Sequence, residues 1–174
     1  MLRILTLLFA ALLGLLPATA RADIEVAFWT RELGLELPHA FITIKGIVEG
    51  KLVDESYGFT PKAITPAILW GPVPGRIDLT TKGYMAASNK LYTVTVADAV
   101  LPRLRDLVQR YNAKPGSIYR MNESNCVHFV AEAAGIVGFR LPDGKGLMKR
   151  PTSYLMAVAA ANKDFPMFRM AVRK

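Results

Sequence analysis

The chain has 174 residues, of which 52% are hydrophobic and 21% are charged, and its formal net charge is +8 at pH 7. This length suits one domain built around one hydrophobic core. The positive charge favours anionic surfaces such as cell-wall polymer or acidic lipid. It does not indicate nucleic acid, because the chain has no run of lysine and arginine and no motif of interleaved aromatic and basic residues.

Residues 1–22 have the pattern of a secretory signal peptide. Arg3 supplies the basic start, and the apolar segment Ile4–Leu16 is too short to span a bilayer as a stable helix. We expect cleavage after Ala22, with an uncleaved membrane anchor as the alternative. Cleavage would remove two basic residues and no acidic one, which leaves residues 23–174 as a single domain with a net charge of +6. We expect this domain in the periplasm or outside the cell, without a transmembrane span.

The apolar and aromatic segment Ile24–Thr30 predicts a first strand, the alternating segment His39–Gly46 a second, and Lys51–Phe59 its partner after a turn. In the second strand one face carries Ala40, Ile42 and Ile44, and the other carries His39, Phe41, Thr43 and Lys45.

A two-residue turn at Glu49-Gly50 would set the register between the second and third strands. It places Lys45 opposite Asp54 and Thr43 opposite Ser56. Asp54 and Ser56 would then share the sheet face that carries His39.

The rest of the chain completes an α+β pattern, an antiparallel sheet packed with helices. The patterns predict a loop at 64–78 that includes a short strand near Arg76–Leu79, a strand at 89–96, a helix from Thr95 or Asp98 to about Tyr111, a helix at 151–162, and a final strand or packed apolar segment at 165–172.

The only cysteine lies in a segment that reads as the start of a helix. Ser124 or Asn125 can cap the helix, and apolar residues then recur at helical spacing up to the glycines at 135 and 138. A thiol at a helix N-terminus is expected to have a lowered pKa, because the unpaired N–H groups and the helix dipole favour a negative charge. The same N–H groups can stabilise an oxyanion. The alternative is a small, buried and inert cysteine.

The search for a base is short, because the chain has two histidines. His128 follows Cys126 by two residues, which places it on nearly the opposite side of a helix, and we interpret it as a packing or hydrogen-bonding residue. His39 on the second strand is therefore the predicted partner in a Cys126–His39 dyad. Asp54 and Ser56 are the candidates for the group that orients the imidazole.

The sequence Asn125-Cys126-Val127-His128-Phe129, preceded by a hairpin that begins with a histidine, resembles the circularly permuted branch of the NlpC-like papain-fold hydrolases. This branch includes the lecithin retinol acyltransferase group. The resemblance implies a permuted papain-like fold with Cys126 as nucleophile, His39 as base and a polar orienting residue on the next strand. Those relatives often have a second histidine at the third position, where this chain offers Asp54, Glu55 or Ser56.

These features predict an exported cysteine hydrolase that works through an acyl-enzyme and needs no metal or cofactor. The leading substrate is a peptidoglycan amide, as for an endopeptidase or amidase. One alternative is a hydrolase or acyltransferase that acts on a lipid amide or ester. The alternative from another class is a non-catalytic envelope protein that binds wall polymer or a partner on the same scaffold.

Overall fold

The computed structural model describes residues 23–32, 37–113 and 117–171. The predicted signal peptide lies outside these residues, so its cleavage after Ala22 stays a prediction. Within the described ranges, no helix combines the length and the apolar character needed to cross a membrane.

The described part of the chain contains seven strands and four α-helices. The strands are β1 (Asp23–Arg31), β2 (His39–Val48), β3 (Lys51–Pro61), β4 (Val73–Asp78), β5 (Asn89–Ala97), β6 (Ile118–Tyr119) and β7 (Phe168–Met170). The helices are α1 (Lys82–Ala86), α2 (Leu101–Asn112), α3 (Cys126–Val137) and α4 (Pro151–Ala161), with short 3-10 turns at Pro66–Leu69 and Asp98–Val100. The strands form one sheet in the order β6-β4-β3-β2-β1-β5-β7, and every pairing is antiparallel. The predicted α+β architecture is confirmed.

The β2–β3 hairpin has the predicted turn and register. Glu49 and Gly50 form the turn with φ angles of 50° and 73°, the left-handed conformation that a tight two-residue hairpin requires at both positions. Lys45 pairs with Asp54, and Thr43 pairs with Ser56. β3 then changes partner, since it pairs with β2 as far as Tyr57 and with β4 from Gly58 onward. The two strands of the hairpin therefore separate near His39.

The helices cover the sheet face that carries the alternate apolar residues of β2. Ala40, Ile42 and Ile44 are fully buried there, in one core with Val127 and Val130 of α3. Burying a side chain the size of isoleucine contributes roughly 1.5–3 kcal/mol to the free energy of unfolding. The packing of α3 against these β2 residues therefore fixes its position on the sheet.

α2 packs on the same core through Leu101, Leu104 and Leu107, the stripe expected from helical spacing. Its start differs from the prediction, because neither Thr95 nor Asp98 caps it. The 3-10 turn at Asp98–Val100 leads into the helix without a side-chain cap, and a proline occupies the first helical turn, where its missing N–H does no harm.

Candidate active site

Asn125 and His128 fix the start of α3, and thereby the position of Cys126. The Asn125 side-chain oxygen accepts hydrogen bonds from the N–H groups of Val127 (2.7 Å) and His128 (3.2 Å). His128 Nδ1 in turn accepts from the N–H of Asn125 at 3.3 Å, which completes a capping box. His128 thus has the hydrogen-bonding role expected from the sequence, and Cys126 is the first residue of the helix.

Asn125 also joins the helix start to two neighbouring loops. Its side-chain amide donates to the carbonyl oxygens of Met121 and Met148, both at 2.7 Å. The residue is only 1% exposed, so these bonds are made out of water. Loss of this side chain would leave several backbone groups without a partner.

The Cys126 thiol lies against the first residues of β2, where β3 has separated from that strand. Its Sγ atom is 4.0 Å from the carbonyl oxygen of Pro38, and the backbone N–H groups of Ala40, Cys126 and Val127 also interact with it. Pro38 and Ala40 flank His39 in the chain. The thiol therefore interacts with backbone groups at the start of β2 that a neighbouring strand would otherwise bind.

Burial decides the ionisation of this thiol. Cys126 is 4% exposed, and desolvation raises its pKa to about 11, although the three N–H groups act in the opposite direction. The expectation of a lowered pKa was therefore wrong. The helix N-terminus acts in the expected direction, but the loss of water around the sulfur outweighs it.

His39 lies on the other face of β2. Successive strand residues alternate, and Ala40 points into the core with α3, so the imidazole projects away from that core. The ring stacks on Phe41, with centroids 6.3 Å apart, and meets Tyr84 edge-on at 6.4 Å. It also covers Gly58, where a Cβ atom would lie 2.5 Å from Nε2. Glycine at position 58 leaves the space that the imidazole occupies.

Both predicted members of the dyad thus contact the segment 38–40, from different sides of the strand. Among the described residues, the hydrogen bond of the Cys126 thiol goes to Pro38 and not to His39. Burial lowers the pKa of His39 to about 4, and the charge of Asp78 acts in the raising direction. At neutral pH the thiol and the imidazole are therefore both uncharged.

The structure does not bring Asp54 or Ser56 to His39. Asp54 pairs with Lys45 at 3.4 Å on the surface, and the Ser56 hydroxyl exchanges hydrogen bonds with the backbone of Thr80. Both residues share the predicted face with His39. At about 3.3 Å per strand residue, however, the β2 partner of Asp54 lies roughly 20 Å further along the strand than His39, and the partner of Ser56 roughly 13 Å. A shared face does not imply proximity.

Glu55, the remaining residue of that segment, is also engaged elsewhere. Its carboxylate accepts hydrogen bonds from Arg105 and from the Tyr57 hydroxyl. Within the described ranges, none of the three forms a hydrogen bond or an ion pair with His39.

Asp78 is the acidic residue that acts on His39, and the sequence analysis did not find it. It is the last residue of β4 and pairs with Gly58, directly beneath the imidazole. The signal available in the sequence was indirect. A short strand had been predicted near Asp78, but nothing local indicated that it would pair with the second half of β3.

A cleft of about 290 Å³ opens beside His39, just below the range of volumes typical of small-molecule sites. Its walls include Pro38, Asp78, Tyr84 and Tyr119. Cys126 lies behind this wall, because it contacts Pro38. Burial raises the pKa of Tyr119, and Cys126 in its ionised form adds to this effect. Within the described ranges, no group of three or more His, Cys, Asp or Glu side chains is arranged to hold a metal ion.

The chain matches no protein-family model and no curated protein. Among solved structures it is similar to the type VI secretion system effector TseH, with a TM-score of 0.50 and 14% sequence identity. The match covers 82% of this chain and 91% of TseH. The two chains share a fold. Identity this low carries no information about the residues of the site.

We predict that the neutral state of His39 makes the protein sensitive to acid. The folded-state pKa of about 4 lies below the unfolded value of 6.5, so the unfolded chain binds the proton first as the pH falls. The stabilisation from neutral His39 is complete above pH 6.5 and is lost between pH 6.5 and 4. At 1.36 kcal/mol per pKa unit it amounts to about 3 kcal/mol.

Urea unfolding at pH 7, 5.5 and 4 measures this loss, with His39→Gln as the matched uncharged variant. The loss of stability should be smaller in His39→Gln, which has no group that titrates at this position. Equal pH dependence in the parent and His39→Gln would contradict the assignment.

Proposed function

We propose that the protein is an exported thiol hydrolase, with Cys126 as nucleophile, His39 as base and Asp78 as the residue that orients the imidazole. The observation that carries the proposal is the position of the sole cysteine. It begins a capped helix, interacts with three backbone N–H groups and contacts the residues on both sides of His39. These N–H groups are suited to stabilise a thiolate or an oxyanion.

The chemistry begins from the neutral pair. The Cys126 thiol must leave the Pro38 carbonyl and turn toward the cleft, where His39 accepts its proton. The thiolate then attacks the substrate carbonyl carbon, and the backbone N–H groups at the start of α3 stabilise the oxyanion. The imidazolium protonates the leaving amine or alcohol, which leaves a thioester on Cys126. His39 then activates a water molecule that hydrolyses this acyl-enzyme.

A peptide amide of peptidoglycan is the proposed substrate. The cleft carries the exposed Lys62 at its wall, and this cation suits the carboxylates of wall peptides. A lipid amide or ester, with hydrolysis or acyl transfer, is the alternative within the enzyme class. The shared fold with a secretion system effector agrees with action outside the cytoplasm of the producing cell.

Incubation with purified wall fragments, followed by mass spectrometry of the products, tests the proposal. We expect cleavage of a peptide amide by the parent protein and none by Cys126→Ala. A panel of phospholipids and lipid amides is assayed in parallel. Hydrolysis of the lipids alone would assign a lipid substrate in place of peptidoglycan. Absence of turnover on both panels would contradict the proposed hydrolase activity.

The second candidate is a binding protein that uses the cleft without chemistry. The burial of Cys126 and its pKa of about 11 favour this function, since such a thiol is mostly protonated at neutral pH. Binding of the same wall fragments, unchanged in Cys126→Ala and accompanied by no cleavage, would support it.

A further inference from the structure

Residues 62–72 form a surface loop that exposes large apolar side chains. The loop is closed by a hydrogen bond of 2.8 Å from the N–H of Lys62 to the carbonyl oxygen of Pro74. Ile68 anchors it in the core, with 3% of its surface exposed. Leu69 and Trp70, the next two residues, are 71% and 88% exposed. The core therefore holds the loop in place while its apolar tip faces solvent.

Two further exposed apolar side chains lie at the cleft. Ile64 in the loop and Leu79 after β4 are 62% and 68% exposed, and both line the cleft. We call Ile64, Leu69, Trp70 and Leu79 the loop patch. Exposed apolar residues grouped in this way indicate an interaction surface rather than the scattered apolar residues of an ordinary surface.

The charges of the surrounding chain are mostly positive. Between residues 61 and 90 there are four basic residues, Lys62, Arg76, Lys82 and Lys90, and a single acidic residue, Asp78. Arg76 pairs with Asp78 at 3.3 Å, so this acid is already neutralised. Lys62 and Lys82 are exposed, and Lys62 lies at the wall of the cleft, beside the loop patch.

We propose that the loop patch docks on an anionic lipid bilayer. Tryptophan, leucine and isoleucine side chains suit the boundary between headgroups and acyl chains, and lysines near them attract anionic headgroups. A wall polymer provides the charge but no apolar interior for Trp70. A second copy of this chain provides apolar surface but repels the same positive charge. Docking would place the mouth of the cleft at the membrane, whether or not Cys126 performs the proposed chemistry.

Vesicle binding tests the proposal. The exported protein is purified, and its N-terminus is determined by mass spectrometry so that all variants match. Vesicles of phosphatidylcholine with and without phosphatidylglycerol are then compared by sedimentation and by tryptophan fluorescence. We expect binding that requires phosphatidylglycerol, weakens with salt and shifts the emission to shorter wavelength. Trp70→Ser should weaken binding by about tenfold and remove the shift in emission, because it removes the large apolar side chain that docking buries in the bilayer.

Leu52→Ser is the matched control, because Leu52 is 80% exposed in the distant β2–β3 hairpin. It should bind as the parent does. An equal loss in Leu52→Ser would assign docking to the hairpin and overturn the proposal. Vesicle binding unchanged in Trp70→Ser, or no binding by the parent, would also overturn it. If Trp70 were required for self-association or for binding to anionic wall polymer, and vesicles were not bound, the proposal would be overturned as well.

Discussion

Cys126→Ala is expected to reduce turnover of the cleaved substrate by at least about 1,000-fold, because it removes the atom that forms the acyl-enzyme. His39→Ala should cost about 100- to 10,000-fold, the usual contribution of a positioned general base. The measurement is kcat/KM on the substrate identified from the wall and lipid panels. Both variants should remain folded under these conditions, which circular dichroism verifies.

The second histidine provides the control for the first. His128 contributes to the cap of α3 through Nδ1 and is not part of the proposed proton transfer. The Asn125 side chain still caps the helix and holds Cys126 in His128→Ala, so kcat/KM should stay within about threefold of the parent. Stability should fall slightly, as loss of half a capping box does. If His128→Ala abolished turnover and His39→Ala did not, the proposed base would be wrong. If both variants were fully active, the proton would have to be accepted elsewhere.

The neutral resting state of Cys126 and His39 limits what alkylation of the thiol can show. The thiol and the imidazole are both neutral, with pKa values of about 11 and about 4, and the thiol is bonded to Pro38. Catalysis then depends on movement of the thiol into the cleft when substrate is bound. Alkylation of free Cys126 at neutral pH should accordingly be slow even in an active enzyme, so turnover is the decisive measurement.

The local elements could be predicted because their determinants are local. Alternation defined β2 and β5, apolar and aromatic composition defined β1, and the Glu49-Gly50 turn fixed the hairpin register to the residue. The cap of α3 followed from a short polar side chain before an apolar helix, which is a property of consecutive residues.

The features that were missed depend on tertiary structure. The pKa of Cys126 was expected to be lowered by the helix N-terminus, but burial by distant parts of the chain raises it. The charge of Asp78 acts on His39 because β4 pairs with β3 from Gly58 onward, and no local pattern encodes that change of partner. Asp54 and Ser56 were chosen because period-two alternation specifies a face, and the distance along the strand was not considered.

Asn125→Ala is expected to destabilise the fold by about 4 kcal/mol, the largest stability effect predicted for a single site residue. The cap of α3 contributes about 1–2 kcal/mol, and each backbone carbonyl that loses its donor costs about 1–3 kcal/mol. The Asn125 side chain supplies all of these bonds at once, to Val127 and His128 on one side and to Met121 and Met148 on the other. For a domain of this size, the loss corresponds to a decrease in Tm of about 10 °C.

Two matched variants separate the contributions. Asn125→Ser keeps a side-chain oxygen that can cap the helix but loses the amide that binds Met121 and Met148, so it should lose roughly half as much stability. Asn122→Ala removes an exposed asparagine three residues earlier and should change stability by less than about 0.5 kcal/mol. A loss below about 1 kcal/mol in Asn125→Ala would show that water replaces the side chain. In that case the cap would not be what holds Cys126 against the start of β2.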